Sequence, residues 1–181
     1  MVSPGFSGAQ FSIDCTSHYR RRVHPRQELY YRGDKRAHFL TAQVVVSIEG
    51  IPYDVQIALG HNNDKGVFNL TIRDYVQENN ILGLADRGYS HHQLIRPDNV
   101  EAAQLLGYPT VEAFGCDHAA ARSPAEIINS LTKNWEFADG ICSQSPEFQA
   151  FALMTIYYLV TMKMRMSPLW YLSRRNKLFL S

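Results

Sequence analysis

The 181-residue chain is 45% hydrophobic, 12% aromatic and 19% charged, which excludes long disordered tracts and fits one domain of ordinary size. Its net charge of +1 hides an uneven spread: residues 1–40 sum to +4, residues 41–160 to −8 and residues 161–181 to +5. Cys15, Cys116 and Cys142 form no C-x-x-C pair, which excludes a disulfide framework and a thiolate zinc site and fits a reducing compartment. The first ten residues carry no secretory signal pattern, and the most apolar run, Ala150 to Met162, has only 13 residues, so no membrane partner is expected.

Taken in chain order, Phe11 to Asp14 reads as a short strand. The basic stretch Arg20-Arg21-Arg22, with Arg26, Arg32, Lys35 and Arg36, suits phosphate contacts and equally suits a solubilising surface. Ala37 to Ile48 is β-branched and aromatic and predicts a buried strand. After the turn signal Gly50-Ile51-Pro52, the alternation of Tyr53, Val55, Ile57 and Leu59 predicts a strand antiparallel to it. Gly60 to Gly66 reads as a loop and Val67 to Asn79 as one helix. Ile81 to Ala85 is a short apolar run closed by the turn Asp86-Arg87-Gly88-Tyr89, and residues 90–121 carry no clear period. Ser123 to Phe137 and Pro146 to Met166 predict helices. In the second, Phe148, Phe151, Ala152, Thr155, Leu159 and Met162 make an apolar stripe expected to pack on the core. Antiparallel strands followed by a helical crossover suggest a mixed sheet with helices on its faces.

Three carboxylates stand out by position. Asp14 and Asp86 each sit at the exit of a strand, where the ligands of an open α/β sheet gather. Together they would call for a hard cation such as Mg²⁺ or Mn²⁺. Taken singly, each also reads as a turn-initiating aspartate. Glu126 lies in Ser123-Pro124-Ala125-Glu126, a capping-box pattern with Ser at the N-cap and Pro at N1. On that pattern capping is its first reading and metal ligation its second. The seven histidines show no zinc-binding spacing, and no Walker A, G-x-S-x-G or G-x-G-x-x-G motif is present.

Five blocks in order resemble the catalytic domain of DDE transposases, in the PIF/Harbinger-like group and related insertion-sequence transposases. They are Ile13-Asp14-Cys15-Thr16, Tyr30 to Phe39 with Gln43-Val44-Val45, Gly60-His61-Asn62-Asn63-Asp64, Leu84-Ala85-Asp86-Arg87-Gly88-Tyr89, and Arg122-Ser123-Pro124-Ala125-Glu126 with Lys133 and Trp135. Ala125 replaces the family's usual valine, and the His61–Asp64 segment departs from the family's G-S-x-H-D.

The resemblance implies an α/β, RNase H-like fold: a five-stranded mixed sheet flanked by helices, the first aspartate on the first strand, the second just after the fourth and the glutamate on a later helix. It reverses the bland reading of the trio. Asp14, Asp86 and Glu126 become catalytic and metal-binding residues for two Mg²⁺ or Mn²⁺ ions, Asp14 bridging both. Arg122, Lys133 and Arg20, Arg21 and Arg22 become DNA-binding candidates. The implied activity is a metal-dependent DNA endonuclease and strand transferase acting on DNA, in the nucleus of a eukaryote or otherwise in the cytoplasm, with a homo-oligomer as a further expectation. Only 13 residues precede Asp14, so the expected division is an extension over residues 1–10, a catalytic domain over 11–166 and a basic tail over 167–181. The helix-turn-helix region usual in the family is expected to be missing, its role falling to a separate DNA-binding protein. The alternative reading is a domesticated or decayed transposase domain that binds DNA or protein without catalysis.

Overall fold

The structure, a computed structural model, describes residue 6 and residues 8–166. The expected basic tail, residues 167–181, and all of the 1–10 extension except Phe6 and residues 8–10 lie outside the described residues.

Six strands form one mixed sheet: β1 (Phe11–Tyr19), β2 (Tyr31–Arg32), β3 (Ala37–Ser47), β4 (Pro52–Leu59), β5 (Gly83–Leu84) and β6 (Leu94–Ile95). β3 lies between β1 and β4 and is antiparallel to both, while β5 and β6 extend the other edge of β1 as parallel neighbours. β2 is a two-residue addition beside Ala37 and His38. Without it the order β4–β3–β1–β5–β6 is the five-stranded mixed sheet expected. β1 runs five residues past the predicted Asp14, because Cys15 to Tyr19 continue in register with β3.

One face of the sheet is covered by α1 (Asp64–Leu70) and α2 (Arg73–Glu78), whose Phe68 and Val76 close on Phe11, Ile13 and Val45. These two replace the single helix predicted over Val67–Asn79. The helix breaks at Thr71, whose hydroxyl turns back to donate to the Val67 carbonyl at 2.8 Å. The other face carries α4 (Val111–Lys133), α5 (Glu136–Asp139) and α6 (Pro146–Met166) over Leu40, Ala42, Val44 and Val46. Burying a side chain such as Leu153 completely there is worth about 1.5–3 kcal/mol. α3 (Val100–Leu105) packs on α4, and Phe6, Tyr108 and Phe114 form an aromatic cluster near the start of α4.

Two helix expectations are corrected. The predicted start at Ser123 falls well inside α4, which begins twelve residues earlier at a Thr110 cap whose hydroxyl accepts from Ala113 N at 3.1 Å. Pro124 is tolerated in the helix interior because the Ser123 hydroxyl donates to Ala120 O at 2.8 Å, the carbonyl that an N–H at position 124 would otherwise take. The capping-box reading of Glu126 is therefore removed. In α6 the stripe expected to be buried faces outward: Phe148, Phe151, Leu159 and Met162 are exposed, and Gln149, Leu153, Ile156, Tyr157, Val160 and Met164 point inward. Both faces of this helix are apolar enough to pack. The buried one is chosen by Gln149, whose amide reaches Arg20 and the Tyr19 carbonyl.

Candidate active site

Asp14 and Asp86 are brought together by strand register. Phe11 pairs with Gly83 and Ser12 with Leu84 in the parallel ladder; Asp14 and Asp86 each follow the last pair by two residues, and the Asp86 charge bears on the Asp14 carboxyl. Neighbouring strands lie about 4.8 Å apart. Gly83 makes room for the Phe11 ring, which a Cβ there would strike. Asp86 leaves the strand into a turn in which its Oδ1 accepts from Gly88 N at 2.8 Å.

The alternation of β1 aims Asp14 at α4 and its neighbour Cys15 at the opposite face. Asp14 Oδ1 accepts from Arg122 at 2.9 Å and Oδ2 from Asn129 Nδ2 at 2.9 Å. Asn129 Oδ1 in turn accepts from the Tyr157 hydroxyl at 3.0 Å, and that hydroxyl lies 3.1 Å from Nε2 of His18. His18 donates from Nδ1 to the Ala138 carbonyl at 2.8 Å. A buried polar chain thus links the carboxylate of β1 to α4, α6 and α5. Burial pushes the Asp14 carboxyl above the usual carboxylate range, more than Arg122 and Asn129 pull it down, and the Asp86 charge adds to the rise. Burial lowers His18 to about 4, so it is neutral at working pH. Cys15 accepts from the Tyr89 hydroxyl at 3.1 Å and burial raises its thiol far beyond the nucleophilic range.

Glu126 stands four residues along α4 from Arg122, on the same face. Its Oε1 accepts from Arg122 at 2.5 Å, so Arg122 bridges Asp14 and Glu126. Half of the Glu126 side chain is exposed, against 18% of Asp14. No group of three histidine, cysteine or acidic side chains among the described residues stands close enough to hold a metal ion. The donors nevertheless fit one by their chemistry: they are carboxylate oxygens, the Asp86 charge bears on Asp14, and a guanidinium already supplies positive charge between Asp14 and Glu126.

Two residues that the sequence left aside join the site. Asp64, at the first turn of α1, faces Asp86 across Gly88: a Cβ on that glycine would lie 3.0 Å from an oxygen of each. Burial raises its carboxyl, and the Asp86 charge raises it further. The G-H-N-N-D block pointed to Asp64, but its place beside Asp86 needs the fold. Asn129 was missed altogether. Its spacing was the available signal, three residues beyond Glu126 and seven beyond Arg122, which puts all three on one helix face.

Of the basic candidates, Lys133 lies in the last turn of α4, half-buried and seven residues beyond Glu126. Arg21 and Arg22 are exposed. Arg20 is corrected: it is 6% exposed, donates to Gln149 Oε1 at 2.9 Å and to Gln144 O at 3.1 Å, and lies over the Tyr30 ring. Its guanidinium ties α6 to the end of β1 and does not face outward to a phosphate. No helix among the described residues is long and apolar enough to cross a membrane.

No curated protein and no solved structure matches the chain. The sequence profile of the family described as DDE superfamily endonuclease matches residues 13–161, a span that takes in all three acids and, but for the first two residues of β1, every strand of the sheet. Asp14 lies within β1 and not at its exit as expected, but family profile and RNase H-like sheet order agree, and the chain belongs to the DDE superfamily of endonucleases.

Proposed function

We propose that this chain is a metal-dependent DNA endonuclease and strand transferase of the transposase type, of the PIF/Harbinger-like group, in which Asp14, Asp86 and Glu126 hold two Mg²⁺ or Mn²⁺ ions. The observation that carries the reading is the parallel pairing of β1 and β5, after whose last pair Asp14 and Asp86 each follow by two residues, with Glu126 joined to Asp14 through Arg122. Asp14 would bridge the ions, Asp86 hold one and Glu126 the other. When bound, such a pair activates a water or a 3′-hydroxyl and stabilises the leaving oxygen of an in-line phosphoryl displacement.

The chain's own part is positioning. Asn129, itself fixed by Tyr157, holds one Asp14 oxygen and leaves the carboxylate a single orientation. Lys133 and Arg122, on the α4 face that carries Glu126, would meet the phosphates flanking the scissile bond, and Arg21 and Arg22 would extend that contact along the backbone. Three carboxylates at one crevice repel an approaching phosphate unless cations compensate them, which makes metal dependence a consequence of the charge pattern.

Nicking of supercoiled plasmid by the purified chain, with Mn²⁺, Mg²⁺ or chelator, tests this. Cleavage that needs the ion and disappears in Asp14→Asn supports the reading. Cleavage that persists in Asp14→Asn and Asp86→Asn overturns it. Absence of both cleavage and Mn²⁺ binding would favour the non-catalytic DNA-binding alternative.

A further inference from the structure

Among the described residues, Arg122 is the cation that touches two of the three acids. Its guanidinium donates to Asp14 Oδ1 at 2.9 Å and to Glu126 Oε1 at 2.5 Å, and only 14% of the side chain is exposed. Asn129 takes the other oxygen of Asp14, so both oxygens of that carboxylate are engaged.

The inference rests on the reading of Asp14, Asp86 and Glu126 as metal ligands. We propose that Arg122 is a built-in surrogate cation, which holds Asp14 and Glu126 through its own charge, competes with a divalent ion for them, and is expelled from between them when the ion binds. A hard divalent ion needs these oxygens at about 2.1 Å. The guanidinium cannot share them without setting like charges against each other. It has to move.

The helix allows that movement. Arg122 and Glu126 are four apart on one face of α4, so the long arginine stem can swing outward while both backbones stay in place. The expelled fork is left at the rim of the site, where a phosphate offers it the same bidentate partner that the carboxylates gave up. Ion binding and phosphate binding then favour each other, since each takes Arg122 away from the acids.

Calorimetric titration of Mn²⁺ into the full chain and into Arg122→Gln tests the competition. The variant is expected to bind Mn²⁺ about tenfold more tightly or better, because a competing positive charge is gone. Equal or weaker binding by a folded variant overturns the proposal. Should Arg122→Gln fail to fold, the wild-type chain decides by NMR of its arginine side chains during Mg²⁺ titration. The Arg122 guanidinium signals are expected to pass from hindered to free rotation as Mg²⁺ saturates. Signals that stay hindered while the Asp14 and Asp86 amides shift would overturn the proposal and leave the ligand reading intact. No Mn²⁺ binding by either protein, with no amide shift, would overturn the ligand reading and the proposal together.

Discussion

The acids of the site are held in two different ways. Asp14 sits on a central strand flanked by hydrogen-bonded neighbours on both sides, and Asp86 sits at the mouth of the next strand in a turn closed by Gly88. Glu126 projects from a helix surface with half its side chain in solvent and Arg122 as its hydrogen-bond partner. Asp14 is placed by a backbone ladder that cannot shift without unzipping the sheet, and Asp86 by the short strand beside it and the turn that follows. The helix acid is placed by a side chain that can exchange partners. A site built this way has a rigid floor and an adjustable wall, which suits the proposed role of admitting ions and then a nucleic-acid backbone.

The sharpest way to break this contrast is to remove a ligand from each side. Asp14→Asn, Asp86→Asn and Glu126→Gln are each expected to lower ion-dependent nicking by about 10³-fold or more. Their stability effects should differ. Glu126→Gln should leave the unfolding free energy within about 0.5 kcal/mol, as surface changes do, whereas Asp14→Asn disturbs a buried network. Nicking rates and urea unfolding of the same preparations check both halves, and equal stability losses would dissolve the contrast.

The second prediction concerns pH and the buried end of the Asp14 network. Folding holds His18 at about 4, below the ordinary value near 6.5, so in that interval the unfolded chain binds the extra proton. Stability from this group is complete above the unfolded value and falls as pH drops through 6.5 towards 4. The total is on the order of 3 kcal/mol. His18→Gln should flatten the melting temperature over that interval, and an unchanged slope would remove His18 as its source.

Third, Asn129→Ala should reduce nicking about 10- to 100-fold by freeing Asp14 Oδ2, and should cost about 1–3 kcal/mol by leaving that buried oxygen without its donor. Ion affinity should fall with it, and full retention of affinity would show that Asp14 needs no positioning from α4. The smallest effect distinguishes the arginines of one triplet. Arg21→Ala or Arg22→Ala should each reduce the salt slope of DNA binding by about 1 with no change in stability. Arg20→Ala should do the reverse, destabilising the fold without altering that slope.

The sequence and the structure part company where one face had to be chosen from two. β3 and β4 were legible because alternation and β-branching bear directly on strand packing, and the bounds of α6 fall where predicted, at Pro146 and Met166. The buried face of α6 was not legible: Phe148 and Phe151 are as apolar as Leu153 and Ile156, and the choice fell to Gln149 and Tyr157, polar side chains with partners on β1 and α4. The start of α4 was misjudged because Ser123-Pro124 has the local chemistry of a helix beginning. Its real cap at Thr110 is backed by Phe114 packing on Phe6, a contact between distant residues.

By itself the sequence determined the family and the coarse plan: the acids Asp14, Asp86 and Glu126 in the family's motif order, a mixed α/β sheet, and a basic N-terminal segment. Those follow from residue type, local period and motif order, all of which are short-range. Only the tertiary structure decided what each residue touches. It paired Asp14 with Asn129, set Arg122 between two acids, drew Asp64 to Asp86 and withdrew Arg20 into the core. These are contacts between elements remote along the chain, fixed by strand register and helix packing, and a linear pattern holds no record of either until the whole core has closed.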